Sequence, residues 1–258
     1  MTIEESSSIA IIPARMDSTR LPGKPLMQIN GLPMIQHCYL RAKLCSELKN
    51  VYVATCDEEI KASIESIGGE VILTSHKHER ATTRTSEAYS ILKDKQKINI
   101  DNIIMIQGDE PLILPEDISH LISSFKDNSV LIANLVTEFG SKEDFEDINN
   151  IKVVMNKSKN AMYFSRAAIP SSWKGFRKSS SFMQSGIIGF KRGILEKIID
   201  LETSQLEEIE SIDMNRALEN NIDVKLIFTS SKLLGVDTQK DLLKAEKIML
   251  EQQMPKYY

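Results

Sequence analysis

Short apolar runs alternate with segments of helical period through the first half of the chain. The apolar runs lie at residues 9–14, 51–56, 70–74 and 102–107. The segments with apolar residues at every third or fourth position lie at 33–45, 58–68, 84–94 and 115–125. Buried strands followed by amphipathic helices are typical of βαβ units. The pattern therefore predicts a three-layer α/β fold with a mainly parallel, twisted sheet.

The pattern changes after residue 130, where strands follow one another with fewer helices. Apolar runs lie at 129–137, 151–156, 161–166 and 185–190. Helical segments at 193–202 and 207–221, a strand at 223–228 and a closing helix after GVDT complete the chain. Because no linker separates the two halves, we predict a single domain over 1–258, with 140–192 as a strand-rich lid or dimerisation insertion. Two separate domains are the alternative.

Composition and charge narrow the range of partners. The chain has 258 residues, of which 41% are hydrophobic and 26% charged, with a formal net charge of -4. This acidic balance argues against a nucleic-acid partner. The first residues lack the apolar region of a secretory signal, no apolar run is long enough to cross a bilayer, and three irregularly spaced cysteines favour a reducing compartment. We therefore expect a cytoplasmic protein without membrane insertion.

The loop after the first strand, PARMDSTRLPGKPL at residues 13–26, is rich in possible anion ligands. Arg15, Arg20 and Lys24 can converge on phosphate oxygens, and Ser18 adds a hydroxyl donor. Ligands in open parallel sheets bind at the carboxyl ends of the strands, which is where this loop begins. It matches neither nucleotide-binding glycine motif. Composition alone leaves two interpretations open, a phosphate-binding loop and a charged surface turn.

Two aspartates follow predicted strands and are candidate metal ligands. Asp109, in IIMIQGDEPLI, comes directly after an apolar strand, and Asp237, in GVDT, lies between a strand and a helix. Mg²⁺ prefers oxygen ligands and keeps several waters, so such a carboxylate can hold it against a triphosphate. Asp237 has an equally good structural explanation, because an aspartate or the neighbouring Thr238 can cap the final helix.

These stretches occur together, in order, in one known family. PARMDSTRLPGKPL followed by INGLPMIQH, then GDEP, IKVV, YFSRAAIP, LEEIESIDMNR and GVDT, resembles the 3-deoxy-manno-octulosonate (Kdo) cytidylyltransferases, which make CMP-Kdo. The resemblance spans nearly the whole chain. It implies the sugar-nucleotidyltransferase fold with a Rossmann-like sheet, CTP and a sugar acid as substrates, Mg²⁺ held by Asp109 and Asp237, and a homodimer with its interface around 145–190. It also implies a role in making a surface polysaccharide such as lipopolysaccharide.

The resemblance also implies roles for individual residues. The sugar hydroxyl would attack the α-phosphorus of CTP in line, with catalytic help from Arg15, Lys24 and Asp109. The nucleotide-binding positions would be Ala14, Arg15, Ser18, Arg20, Lys24, Thr82, Arg84 and Gln107. The sugar-binding positions would be Arg166, Gln184, Ile188, Glu210, Asp213 and Met214.

The chain departs from the family at several of these positions. The family motif S-G-T-[DE]-R is RATTR at 80–84, H-x-G-I-Y is QSGII at 184–188, and E-x-L-E-Q-L-R is ESIDMNR at 210–216. The last two changes replace polar groups that can pair with sugar hydroxyls, and a site built to pair a hydroxyl discriminates strongly against analogues that lack it. We therefore expect a 2-keto-3-deoxy sugar acid that is related to Kdo and need not be Kdo itself.

Two other functions remain open from the sequence. One is a nucleotidyltransferase of the same fold with another nucleoside triphosphate or another acceptor, such as a nonulosonic acid, an amino-sugar or a polyol phosphate. The other is a catalytically silent binding protein that kept the fold.

Overall fold

The strands of the first half have the predicted order. A computed structural model describes residues 7–18, 20–96 and 100–251. Its strands are β1 Ser8–Pro13, β2 Gln28–Ile29, β3 Leu32–Pro33, β4 Leu48–Thr55, β5 Glu70–Leu73, β6 Asn102–Ile106, β7 Ile132–Glu138, β8 Lys152–Met155, β9 Ala161–Ser165, β10 Phe182–Lys191 and β11 Val224–Phe228. Its α-helices are α1 Met34–Lys43, α2 Glu58–Glu65, α3 Ala81–Gln96, α4 Pro115–Ser123, α5 Lys142–Glu146, α6 Ile194–Ile199, α7 Gln205–Glu210, α8 Met214–Glu219 and α9 Gln239–Glu251.

The central sheet has the strand order β11-β7-β10-β6-β1-β4-β5. Pairing is parallel between β5 and β4, β4 and β1, β1 and β6, and β7 and β11. Strand β10 runs antiparallel to both of its neighbours, β6 and β7. Six of these seven strands therefore run in one direction, which confirms the mainly parallel sheet.

Each face of the sheet is covered by helices, as the alternation of side chains along β1 illustrates. Ile9 and Ile11 belong to a hydrophobic cluster with buried residues of α3, α6 and α8. Ala10 and Ile12 belong to a second cluster with residues of α1, α2 and α4. Successive residues of a strand face opposite sides, and both sides are buried here, as expected for a parallel sheet between two helical layers.

The stretch 140–192, predicted as a strand-rich lid or dimerisation insertion, ends in β10, which lies inside the sheet between β6 and β7. One prediction needs correction. The predicted helix 207–221 is two short helices, α7 and α8, because Ser211 adopts a left-handed conformation with φ 55° and ends the first. Within the described residues, no helix combines the length and apolar character needed to cross a membrane.

Candidate active site

A cavity of about 740 Å³ opens at the carboxyl ends of β1 and β6. It is lined by the loop after β1, the turn after β6, the start of α3, the region around Arg166, and parts of β10 and α8. The sequence-predicted residues along its wall are Ala14, Arg15, Ser18, Arg20, Lys24, Thr82, Arg84, Gln107, Asp109, Arg166, Gln184, Ile188, Asp213, Met214 and Asp237. The fold thus brings together residues that are far apart in the sequence.

The loop after β1 is held in a defined shape by its own backbone. Gly23 has φ 69°, a left-handed conformation that glycine adopts without strain, and Lys24 begins a short 3₁₀ turn, Lys24–Leu26. The hydroxyl of Ser18 accepts a hydrogen bond from the Leu21 amide, and the carboxylate of Asp57 accepts one from the Met16 amide at 2.8 Å. These contacts give the loop a defined conformation, which fixes the direction of the Lys24 side chain.

The ammonium of Lys24 bridges the two aspartates that the sequence singled out. Its Nζ lies 2.6 Å from Asp109 Oδ2 and 3.0 Å from Asp237 Oδ1. Arg20 Nη2 lies 2.9 Å from the same oxygen of Asp237. Burial disfavours the charge on Lys24, but the two carboxylates outweigh this effect and raise its pKa above the usual value. We call Arg20, Lys24, Asp109 and Asp237 the ionic half of the cavity.

Backbone contacts explain why Asp237 lies beside Asp109. The amide of Val236 donates to the carbonyl of Asp109 at 2.9 Å, so the segment before α9 runs along the turn after β6. Thr238 caps α9, since its hydroxyl accepts from the Asp241 amide while Asp241 accepts from Thr238. The cap therefore uses Thr238 and leaves the carboxylate of Asp237 to the cavity.

The donor set of the ionic half suits Mg²⁺. Asp109 and Asp237 supply carboxylate oxygens, the ligand type this cation prefers, and both already converge on one cation, the Lys24 ammonium. Among the residues that the structure describes, no cluster of three or more His, Cys, Asp or Glu could hold a metal ion. Mg²⁺ tolerates few protein ligands when phosphate oxygens and waters complete its coordination.

Glu110, next to Asp109, points away from the ionic half. Its Oε1 accepts a hydrogen bond from the Gly186 amide at 2.6 Å on β10, and the side chain is buried. Burial, reinforced by the negative charge of Asp109, raises the pKa of Glu110 to about 8. Of the two adjacent carboxylates in GDEP, one therefore faces the cavity and the other ties the turn to the sheet.

Arg15 and Arg84 meet at one segment on the side of the cavity near α3. Arg15 Nη1 donates to the carbonyl of His78 at 3.4 Å and is otherwise exposed. Arg84 is buried and donates to the Thr74 hydroxyl and to the carbonyls of Ser75 and His78. Arg84 therefore shapes the wall between β5 and α3, whereas Arg15 keeps its charge at the surface.

Arg166 lines the cavity near Arg20 and Asp237, whose charges act on it, and it is held by backbone carbonyls. Its Nε donates to the carbonyl of Glu210 at 2.9 Å, and its Nη1 donates to that of Ile148 at 3.1 Å. Glu210, predicted to bind sugar, does not line the cavity. Its carboxylate accepts hydrogen bonds from the hydroxyls of Tyr163 and Ser165 and from the amide of Arg166. Glu210 therefore supports the backbone of Arg166.

Several residues that depart from the family pattern are engaged in polar contacts or buried. Arg80 Nη1 lies 3.5 Å from Asp213 Oδ1 and donates to the Ser211 hydroxyl, and the Thr82 hydroxyl donates to Asp213 Oδ2 at 2.6 Å. Gln184 donates to Asn134 Oδ1 at 2.6 Å. Ile188 and Met214 are buried members of one hydrophobic cluster. We call Arg166, Gln184, Ile188, Asp213 and Met214 the acceptor half.

Asn149 and Lys152, at and behind the cavity wall, are among the residues that were not predicted from the sequence. Asn149 lines the cavity, and its Oδ1 accepts from Arg20 Nη1 at 2.8 Å. Lys152 is fully buried close behind it. A lysine inside the apolar run IKVVM was the available signal, because an unpaired charge is rarely buried.

Comparisons with known proteins find relatives over nearly the whole chain. The family model described as "Cytidylyltransferase" matches residues 9–227. A 3-deoxy-manno-octulosonate cytidylyltransferase from Thermodesulfovibrio yellowstonii is 41% identical over 94% of this chain and 98% of its own length. An 8-amino-3,8-dideoxy-manno-octulosonate cytidylyltransferase from a Shewanella species is 39% identical over 93% and 97%. A solved CMP:2-keto-3-deoxy-manno-octonic acid synthetase complexed with CTP superposes with a TM-score of 0.83 at 33% identity, covering 96% of this chain and 100% of that one.

Proposed function

The chain belongs to the cytidylyltransferase family that includes the 3-deoxy-manno-octulosonate enzymes, and from this premise we propose that it couples CTP to a 2-keto-3-deoxy sugar acid, releasing pyrophosphate. The observation that carries the proposal is the convergence of Lys24, Asp109 and Asp237 in a cavity that also holds Arg15, Arg20 and Arg166. One group of charges suits a triphosphate with its cation, and a separate arginine suits a carboxylate.

The reaction needs orientation and charge stabilisation. The anomeric hydroxyl of the sugar forms a bond to the α-phosphorus of CTP, the bond between this phosphorus and pyrophosphate breaks, and the hydroxyl proton is released to water. Arg15 and Lys24 stabilise negative charge on the phosphates in the transition state. Arg20 contributes to binding the triphosphate, while Ala14, Ser18, Gln107 and Thr82 line the space for the nucleotide. Arg166, which also lines the cavity, holds the sugar carboxylate.

A bound Mg²⁺ would be held by Asp109 and Asp237. When bound, it supplies positive charge against the triphosphate and a lower pKa for the attacking hydroxyl. In this structure Lys24 balances the two carboxylates, and it lines the cavity that the triphosphate would enter.

The acceptor half supports a sugar acid that differs from Kdo in its hydroxyl pattern. Ile188 and Met214 present no hydrogen-bonding groups of their own, and the carboxylate of Asp213 is already bonded to Thr82 and close to Arg80. The amino-sugar acid named for the Shewanella relative is one such acceptor. The second candidate function is transfer of a nucleotide to a different acceptor, such as a nonulosonic acid, by the same fold. The same positions favour it.

Oligomeric state, cellular location and the use of the product complete the proposed function. We propose a homodimer whose interface includes residues 145–190, because this stretch carries exposed apolar side chains, Ile148, Met162 and Trp173. We also propose that the enzyme works in the cytoplasm and that the CMP-sugar serves a surface polysaccharide such as lipopolysaccharide. Size measured by light scattering for the wild type and for Met162→Glu tests the interface.

The central experiment is an assay of CTP-dependent pyrophosphate release with Mg²⁺ and a panel of 2-keto-3-deoxy sugar acids, including Kdo and its 8-amino analogue. Asp109→Ala should abolish release, and the surface variant Asp127→Ala is the matched control. A thermal-shift series with CTP, UTP and ATP identifies the nucleotide, because a ligand that binds only the folded state stabilises it. Kdo as the best acceptor by a wide margin would contradict an altered sugar, and no release with any acceptor would contradict the proposal.

A further inference from the structure

Lys152, the first residue of β8, is a lysine with 0% of its surface exposed. Its ammonium donates to three backbone carbonyls, those of Asp147 at 2.5 Å, Asn150 at 2.8 Å and Arg166 at 2.9 Å. Burying an ammonium is costly unless its donors are satisfied, and these three acceptors match its three donors. The lysine is therefore fully engaged with the backbone of two segments.

Those two segments carry groups of the candidate active site. Residues 147–150 form the loop between α5 and β8, and Arg166 follows β9 directly. The loop contacts both halves of the cavity, because Asn149 Oδ1 accepts from Arg20 and the Ile148 carbonyl accepts from Arg166. Lys152 binds this loop at both of its ends and connects it to the backbone of Arg166.

The three carbonyls explain why a charge is buried here. An apolar side chain would avoid the cost of burying a charge, but it would leave the carbonyls of Asp147, Asn150 and Arg166 without their shared donor. An ammonium has an advantage where three carbonyls from different segments must be fixed relative to each other. Here the segments that it fixes are those that orient Arg20 and Arg166.

We propose that Lys152 is a positioning residue of the transfer reaction, which locks residues 147–150 against the end of β9 and so aims Arg166 at the acceptor and Arg20 at the triphosphate. This inference rests on the proposed function. Lys152 itself does not line the cavity, so it acts through the loop. Removing the donors of Lys152 loosens both arginines at once. Arg166 is affected most, because Lys152 binds the carbonyl of Arg166 and the loop binds the guanidinium of Arg166.

The test compares Lys152→Met, Arg166→Ala and the double variant by steady-state kinetics with CTP and the best acceptor. We expect Lys152→Met to raise the acceptor KM by about 30-fold, with a smaller rise in the KM for CTP. If Lys152 acts through Arg166, the effects of the two substitutions do not add, because coupled residues give non-additive double-mutant cycles. Adding Arg166→Ala to the Lys152→Met enzyme should then raise the acceptor KM by less than about 3-fold.

Ile64→Ala is the control for lost stability, because Ile64 is fully buried on α2 in the other helical layer. It should lower the melting temperature and leave both KM values unchanged. Lys152→Arg covers the case in which Lys152→Met does not fold. Its planar guanidinium cannot reproduce the three contacts of an ammonium, so we expect a several-fold rise in the acceptor KM.

The possible outcomes separate this inference from the proposed function. A wild-type enzyme that releases no pyrophosphate with any acceptor contradicts the proposed function. An active wild type with additive effects in the cycle, or a Lys152→Arg enzyme with an unchanged acceptor KM, overturns the positioning role of Lys152 while the proposed function stands.

Discussion

The two halves of the cavity are built from different interactions. In the ionic half, Arg20 and Lys24 pair with the carboxylates of Asp109 and Asp237. In the acceptor half, the guanidinium of Arg166 donates to neutral carbonyls, although the charges of Arg20 and Asp237 lie near it. Charges that pair with each other can exchange partners when a charged substrate arrives, whereas carbonyls fix an arginine without neutralising it. The first arrangement suits a triphosphate with a cation, and the second suits selection of one sugar acid.

The largest expected effect is in the ionic half. Lys24→Met removes the only lysine that contacts both aspartates among the described residues, so charge on the phosphates is left unbalanced in the transition state. We expect kcat to fall about 100- to 1000-fold, measured by pyrophosphate release. The control is Lys61→Met, which removes a surface ion pair with Glu58 and should leave kcat unchanged. A loss below about 10-fold for Lys24→Met would show that the ionic half does not carry the chemistry.

The next effect is expected in the acceptor half. Arg166→Lys keeps the charge but loses the planar fork that can bind a carboxylate with two hydrogen bonds. We expect the acceptor KM to rise up to about 100-fold, with the KM for CTP unchanged in the same titrations. Arg192→Lys, at a surface pair with Asp101, is the control. Equal increases in both KM values would remove the distinction between the halves.

A specificity change of about 10-fold is expected from the contact between Arg80 and Asp213. Arg80→Ser with Asp213→Glu introduces the family residues at both positions. We expect the ratio of kcat/KM for Kdo to that for the best acceptor to increase, because the longer carboxylate loses its arginine partner and becomes available to sugar hydroxyls. An unchanged ratio, with the KM for CTP also unchanged, would mean that these two positions do not select the sugar.

The smallest effect concerns the support behind Arg166. Burial raises the pKa of the Glu210 carboxyl, but hydrogen bonds from the Arg166 amide, Ser165 and Tyr163 outweigh it and hold the pKa below its usual value of 4.5. The stability that these bonds contribute is therefore complete above pH 4.5 and is lost as the pH falls through the lowered pKa.

Glu210→Gln tests this by urea unfolding at several pH values. We expect the variant to be less stable by about 1 kcal/mol at pH 7. The difference from the wild type should shrink below pH 4.5. A difference that is constant with pH would mean that the charge of Glu210 does not support Arg166.

Much of the fold followed from local patterns. The alternation of apolar runs and helical segments predicted that β1, β4, β5 and β6 are parallel, because a helix joins each of these strands to the next along the chain. The position of β10 could not be predicted, since its antiparallel pairing with β6 and β7 joins residues far apart in sequence. The break at Ser211 was missed because the helical period continues across 207–221, and only the left-handed backbone at one residue interrupts it.

By itself, the sequence determined the chemical character of the site, because the residue types and their order along the chain identify the family. Arg15, Arg20 and Lys24 lie in one loop, so their placement after β1 required no tertiary information. Tertiary structure alone decided that Asp237 meets Lys24, that Thr238 and not Asp237 caps α9, and that Glu210 lies behind Arg166. Lys152 is the sharpest example. Its place in the chain indicates only a strand, and its function depends on which carbonyls the fold places around a buried ammonium.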